Sequence, residues 1–303
     1  MASEQDIQSA AIRAATRPST LSGRIYKGIT NFIKRKPLGA VGAGIILVMI
    51  VLALAADIIT SNDPLKMHFR DALQAPSGEY WLGTDDFGRD MWSRIVYGAQ
   101  ISLYVGFFAI AIGSGIGGLL GLASAYYGGK VDIILQRLMD TVMSIPTLIM
   151  ALAIMASLGQ GLNNVVLAIG VVQIPRANRI VRSQALSVKQ SEFALAAQAI
   201  GATDLRIMLL HIMPQCVAPW LIIATAGLGT AIISEASLSF LGLGIPAPEP
   251  SWGGMLSGRG RDYYSVAPWM AIWPGLAISL AVYGFNLFGD AIRDVLDPRL
   301  RGS

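Results

Sequence analysis

The sequence predicts an all-α, polytopic membrane protein with six transmembrane helices. Three observations lead there. Charged residues make up only 14% of the 303-residue chain and hydrophobic residues 53%, whereas a soluble domain carries roughly 25% charged residues. Mean hydropathy is +0.55 over the whole length, so the apolar excess is spread along the chain and is not one anchor on a soluble body. The charges that remain sit at the ends of long uncharged runs, as topology determinants do. At about 20 apolar residues per crossing, and allowing for loops, roughly five to seven crossings fit.

The first uncharged run covers 37–56 and continues past Asp57 to Ile59. It predicts a first transmembrane helix over 38–60. Residues 1–37 precede it as a cytoplasmic basic tail. That basic region is too long for a cleavable signal peptide, and no small-residue cleavage site follows the apolar run. Within the tail, Ile25, Ile29, Phe32 and Ile33 share one helical face, flanked by Arg24, Lys27, Lys34, Arg35 and Lys36. This is the pattern of a short interfacial helix on anionic membrane lipid; a solvated basic tail is the alternative. Residues 61–97 then form an external segment, 98–292 a five-helix core with a cytoplasmic loop at 183–214, and 293–303 a cytoplasmic tail.

The second span lies between Arg94 and Lys130 and is long enough to run beyond the hydrocarbon core. Its glycines, Gly113, Gly115, Gly117, Gly118 and Gly121, predict close helix packing. The run between Asp140 and Arg176 is too long for one helix. Turn residues at 159–164 divide it into two spans, with a kink expected at Pro146 in the first. The fifth span covers about 217–241 and the sixth about 269–289. Six spans place both termini on one side. With the termini inside, 17 Lys and Arg fall on inner segments and 6 on outer ones. That bias predicts cytoplasmic termini in a cytoplasmic membrane, the inner membrane of a bacterium.

Several chemistries are excluded. A single cysteine, Cys216, forbids an intramolecular disulfide framework or a cysteine metal cluster. Two histidines, His68 and His211, leave no histidine-built metal site, and no Ser/Asp arrangement supports His211 as catalytic. The pI of about 9.3 reflects topology charges, including Arg176, Arg179 and Arg182, and does not indicate nucleic acid. Gly128-Gly129-Lys130-Val131 lacks the Ser/Thr and the upstream glycine of a Walker A loop. The chain therefore binds no ATP by that route, and no catalytic, cofactor or metal residue is expected. Asp85, Asp86, Arg89 and Asp90 read as a helix start capped by Thr84 or Asp85, with contact to an external partner as the alternative. Arg137 and Asp140, one turn apart, read as a local ion pair. Glu235 lies inside the fifth span. An intramembrane acid is costly and marks a candidate path contact; a structural hydrogen bond is the alternative.

The most informative stretch is the polar loop 176–214. Phe193, Ala196, Ala197, Ile200 and Leu205 predict short helices with small residues on one face, turning at Gly201 and stopping at Pro214. Such a knob suits a groove in a partner. Ala196-Ala197-Gln198-Ala199-Ile200-Gly201, followed by His211-Ile212-Met213-Pro214, resembles the EAA loop of ABC-importer permeases: Glu-Ala-Ala, three residues, Gly, nine residues, then Ile-any-Leu-Pro. Leu195 stands where the glutamate would be, with Glu192 one turn earlier, and His211 and Met213 replace Ile and Leu. Residues 82–90 (LGTDDFGRD), 237–244 (SLSFLGLG), 248–253 (PEPSWG) and 288–299 (FGDAIRDVLDPR) resemble the dipeptide/oligopeptide/nickel branch, C-type subunit.

The resemblance implies a type I ABC-importer permease fold and a non-catalytic subunit forming a translocation path for short peptides. It implies four kinds of partner component: a second homologous permease, two ABC ATPase subunits carrying ATP-Mg, an extracytoplasmic solute-binding protein, and membrane lipid. On that reading Glu192, Ala196, Ala197, Gly201, His211 and Pro214 form the ATPase-coupling loop. Trp252, in the proline-rich outer loop with Tyr263 and Tyr264, becomes a contact for the binding protein or a gate, with aromatic anchoring as the alternative. Nickel is disfavoured as cargo by the few soft ligands; other peptide-like solutes remain open. An ion-coupled secondary transporter is the alternative class, and it calls for several intramembrane acids where this chain has one well inside a span.

Overall fold

A computed structural model describes residues 30, 32–257 and 262–296. Most of the basic tail, and the last residues of the C-terminal motif, lie outside them. Of the expected interfacial helix, Ile25 and Ile29 fall outside, while 32–35 are helical. Among the described residues there is no strand, only one isolated bridge between Thr84 and Asp90.

The first long helix, α1 (Pro37–Leu54), starts with proline at its first turn, where the missing N–H costs nothing. Leu38, Val41, Leu47, Val48, Val51 and Leu54 are exposed, an apolar surface suited to lipid. Gly39 and Gly42, two of its three glycines, face the last helix, α11 (Trp269–Leu296). A Cβ on Gly42 would lie 2.7 Å from the Gly284 carbonyl oxygen, so the two backbones touch. A one-turn helix, α2 (Ala56–Ile59), ends the span.

The segment after α2 leads into α3 (Met91–Tyr127), whose cap is Asp90 and not Thr84 or Asp85. The Asp90 carboxylate accepts from the Trp92 and Ser93 amides at 3.2 and 3.3 Å. Asp85 is otherwise engaged: it accepts from Arg89 Nε at 2.6 Å and lies 3.6 Å from Arg94 Nε. Thr84 bonds the Asp71 carbonyl and the Gln74 amide. The four charged residues thus build a helix start, as expected, but around a different cap. At 37 residues α3 spans about 55 Å, longer than a hydrocarbon core of about 30 Å.

Three of the seven glycines of α3 form a ridge against α6 (Leu162–Lys189). A Cβ at Gly113, Gly117 or Gly121 would lie 2.4, 2.3 and 2.4 Å from the carbonyl oxygens of Gly170, Ile174 and Asn178. The two sets advance four residues at a time, so one face of α3 rides along the α6 backbone. Gly115 faces open space.

Between these helices lie α4 (Gly129–Met143) and α5 (Thr147–Leu158), which meet at 92°. The kink expected at Pro146 is a full break, because proline supplies no N–H and disfavours helix in the residue before it. Gly159 at φ +82° and Gly161 at φ +149° make the turn into α6. Arg137 does not pair with Asp140; Asp140 is taken by Arg179 of α6 at 2.7 Å. Among the described residues, four helices are long and apolar enough to cross a membrane, five if α4 and α5 count as one bent span. The remaining long helix, α6, is apolar only in its first half; Arg176, Arg179, Arg182 and Lys189 load the second.

After α6 comes α7 (Glu192–Ala199), then α8 (Asp204–Arg206), a π-helical turn at Ile207–Ile212, and α9 (Met213–Phe240). Pro214 is no stop. It sits in the first turn of α9, and the run Asp204–Phe240 is one 37-residue helix. The wider turn at 207–212 makes room where the proline ring would meet the preceding helix. The loop therefore holds one short helix, and the second expected short helix is the start of a long span. A short helix, α10 (Trp252–Met255), lies between α9 and α11.

Candidate functional site: the loop helix and its flanks

In the loop helix α7, Ala194 and Ala197 are buried, and Ala197 joins a core of Leu122, Ala125, Val181, Ala185, Ile207 and Ile212 beneath it. Alanine is what lets α7 lie close on α3, α6 and the π turn. Around the rest of α7 and at its C-cap, Phe193 is 47%, Leu195 53% and Ile200 85% exposed. Large apolar side chains are thus left uncovered on more than one side of this short helix. Glu192 and Ala196 are exposed with them, Glu192 in the first turn where its charge suits the helix dipole.

Gly201 ends α7 as expected from its sequence position. Its φ is +80°, its amide donates to the Gln198 carbonyl at 3.0 Å, and the Ala202 amide donates to Ala197 at 3.1 Å. These two bonds make a Schellman cap, which favours glycine because a Cβ strains this backbone. His211 is half-buried in the π turn with Nδ1 3.4 Å from the Arg206 carbonyl, and Pro214 is exposed. Glu192, Ala196, Ala197 and Gly201 thus share the knob, while His211 and Pro214 belong to the root of the following span.

The residues that hold the knob carry no local sequence signal. Lys189, just before α7, donates to the Tyr126 carbonyl and lies 5.3 Å from the Tyr126 ring centre. The Tyr126 hydroxyl donates to Asp204, just after α7, at 2.7 Å. Two residues earlier, Ser124 donates to Asp132 of α4 at 2.5 Å. Asp132 also takes both guanidinium arms of Arg182 at 2.6 Å. Each partnership joins residues far apart in the chain, so no spacing rule predicts it.

The two candidate path residues are enclosed within the chain. Glu235 is 0% exposed; Ser239 Oγ donates to its Oε1 at 2.8 Å, and its Oε2 has no partner among the described residues. Trp252 is 2% exposed. Its indole N–H donates to the Ile95 carbonyl at 3.0 Å, and the ring packs where Gly98 has no side chain. Within the chain, Trp252 pins the loop that follows α9 onto α3. A cavity of about 460 Å³ opens beside it, lined by Asp85, Arg89, Arg94, Gln160, Ser239 and Glu249 among others. No group of three or more His, Cys, Asp or Glu among the described residues is arranged to hold a metal.

The family model described as "binding-protein-dependent transport system inner membrane component" matches residues 113–302, which include the loop helix and its flanks. The chain belongs to this family. It is 45% identical over 269 residues to the dipeptide transport system permease protein DppC of Alkalihalophilus pseudofirmus, covering 89% of this chain and 88% of that one. It is 40% identical over 289 residues to the probable D,D-dipeptide transport system permease protein DdpC of Escherichia coli, covering 95% and 97%. A glutathione transport system permease protein, GsiD of Escherichia coli, is 43% identical over 270 residues, 89% of each chain. Among solved structures, a chain of the inward-facing MetNI methionine ABC transporter superposes with a TM-score of 0.53 at 21% identity, covering 68% of this chain and 97% of that one. That likeness supports the permease fold. Family and apolar helices together make this a multi-pass inner-membrane transport component.

Proposed function

We propose that the chain is one of two permease subunits of an ATP-driven importer for short peptides, with both termini cytoplasmic. The observation that carries this reading is the knob at 192–201: a short helix with large apolar side chains exposed on a polar loop, ended by a left-handed glycine. Two ATPase subunits, binding ATP-Mg on their own chains, take these knobs from the two permeases, and their closure moves the long helices rooted on either side. A solute-binding protein delivers cargo to the outer face. Relatives named for dipeptides, D,D-dipeptides and glutathione share peptide-like cargo of small size, which supports short peptides over nickel. The chain hydrolyses nothing itself.

The test is Gly201→Asp. No atom lies within 4 Å of a Cβ built there, so within this chain the cost is only the backbone strain, about 1–3 kcal/mol. Against a docked ATPase the new carboxylate is buried unpaired, which costs several kcal/mol. At about 1.4 kcal/mol per tenfold in affinity, docking is lost. The variant should reach the membrane at normal abundance, fail to co-purify with the ATPase, and abolish uptake of labelled dipeptide. Normal recruitment and uptake would refute the assignment of this loop.

A further inference from the structure

The last turn of α3, Ser124 to Tyr126, touches more of the loop region than any sequence motif suggests. Tyr126 makes three contacts of different kind. Its hydroxyl donates to Asp204 Oδ1 at 2.7 Å, after the loop helix. Its carbonyl accepts from Lys189 Nζ, before the loop helix. Its ring lies beneath the same ammonium at 5.3 Å. The chain from Lys189 to Asp204 is thus held at both ends by one residue that belongs to neither end.

The same turn is fixed to the membrane helices. Ser124 Oγ donates to Asp132 of α4 at 2.5 Å and accepts from Gln136 Nε2 at 2.9 Å. Gln136 Nε2 also reaches Asn178 Oδ1 of α6 at 3.0 Å, and Arg182 of α6 closes the network on Asp132 with two bonds of 2.6 Å. A bidentate guanidinium–carboxylate pair fixes orientation as well as distance. Three helices therefore meet as one rigid unit two residues from Tyr126.

We infer that Tyr126 is a positioning residue for coupling: it sets the angle of the loop helix against the α3–α4–α6 unit, so that displacement of the knob becomes displacement of these helices. This rests on the loop's assignment above. The Tyr126–Asp204 bond is the replaceable part, since its loss leaves α7 attached through the buried Ala194 and Ala197 and through Lys189 on the Tyr126 carbonyl. Without the bond the knob still docks, but it rocks on its seat and transmits less of the motion.

The test uses the assembled importer in vesicles with its binding protein, and reads dipeptide uptake per ATP hydrolysed. Tyr126→Phe removes the hydroxyl and keeps the ring and carbonyl for Lys189. It should leave ATPase recruitment unchanged and lower uptake per ATP by about threefold, the scale of one partly exposed hydrogen bond to a charged group. Asp204→Ala should match it, Asp204→Asn should restore most of the ratio because its amide oxygen still accepts, and the double variant Tyr126→Phe/Asp204→Ala should be no worse than either single change. Hydrogen exchange in the purified subunit should speed up at 192–203 in Tyr126→Phe and not in Asp204→Asn. Unchanged uptake per ATP, additive losses in the double variant, or a Tyr126→Phe defect confined to ATPase recruitment would each overturn the inference. Gly201→Asp separates the two claims: if it spares recruitment the loop assignment fails, and if it abolishes recruitment while Tyr126→Phe changes nothing, only the role of Tyr126 fails.

Discussion

Gly117 and Gly115 stand two residues apart on α3 and should respond to alanine in opposite directions. At Gly117 the new Cβ would sit 2.3 Å from the Ile174 carbonyl oxygen and 2.9 Å from Ala177 Cβ. An ordinary carbon–oxygen contact needs about 3.3 Å or more, so α3 and α6 must separate by roughly 1 Å. The shift cannot stay local, because Gly113 and Gly121 seat the same two backbones at 2.4 Å by the same measure. Overpacking of this kind costs about 1–3 kcal/mol. At Gly115 nothing lies within 4 Å, so alanine meets no obstacle and gains about 1 kcal/mol of helix propensity on the aqueous scale. The difference between the two variants is then about 2–4 kcal/mol. Thermal unfolding of the purified subunit in detergent should separate their midpoints by roughly 4 °C or more, at about 2 °C per kcal/mol for a chain of this size, with Gly117→Ala the lower. Equal shifts, or a lower midpoint for Gly115→Ala, would refute the claim that this ridge carries the α3–α6 contact.

Trp252→Ala should lower stability by about 3–5 kcal/mol, the usual cost of emptying a buried aromatic site. Uptake, ATPase stimulation and thermal midpoint should then fall together; lost stimulation at an unchanged midpoint would point to a direct contact role. Orientation is checked with single cysteines at Glu249 and Ile200, both exposed: an impermeant reagent applied outside should label Glu249→Cys and spare Ile200→Cys. The native Cys216 is buried and should stay silent, and the reverse labelling would invert the topology.

What the sequence revealed depended on how local each signal was. The long uncharged runs carried the helices, since apolar length is itself the requirement for crossing. Gly201 was legible because a left-handed cap demands glycine at one fixed place after the last helical turn. Pro146 was underestimated and Pro214 overestimated. Both are prolines at helix boundaries; what separates them is tertiary, namely a 92° redirection at the first and a π turn that carries the helix through the second. The Asp140 pair was misassigned because helical spacing favours Arg137, whereas the neighbouring helix brings Arg179 to 2.7 Å. Glu235 stood out as an acid inside an apolar span and Trp252 as an aromatic in a proline-rich loop, but how deeply each is enclosed had no local signal. The enclosure of Trp252 depends on how its loop folds over α3, at Gly98 and Ile95, more than 150 residues earlier in the chain. Tyr126, Lys189 and Asp204 had no signal of their own.

The way the helices are held also bears on how motion can travel. In lipid the hydrophobic effect does not press one apolar helix against another, so association falls to close backbone approach and to polar contacts. This chain uses both, in separate places. The α3–α6 pair is joined by the glycine ridge along its length and, at the loop end, through α4, whose Asp132 and Gln136 bond Ser124 of α3 and Arg182 and Asn178 of α6. The α1–α11 pair is joined by Gly39, Gly42 and Gly284, with Lys36 and Asp294 at its end, 2.6 Å apart but half-exposed and so contributing little. Backbone contact leaves no side chain to swing, so each pair is stiff in itself. The loop helix is anchored to the first pair through Tyr126, and it reaches the second by two routes, through α9 and through α3, whose Gln100 donates to the Ala53 carbonyl of α1 at 2.7 Å. A displacement imposed on the knob therefore acts first on α3 and α6, and the α1–α11 pair follows through its contacts with α3 and α9.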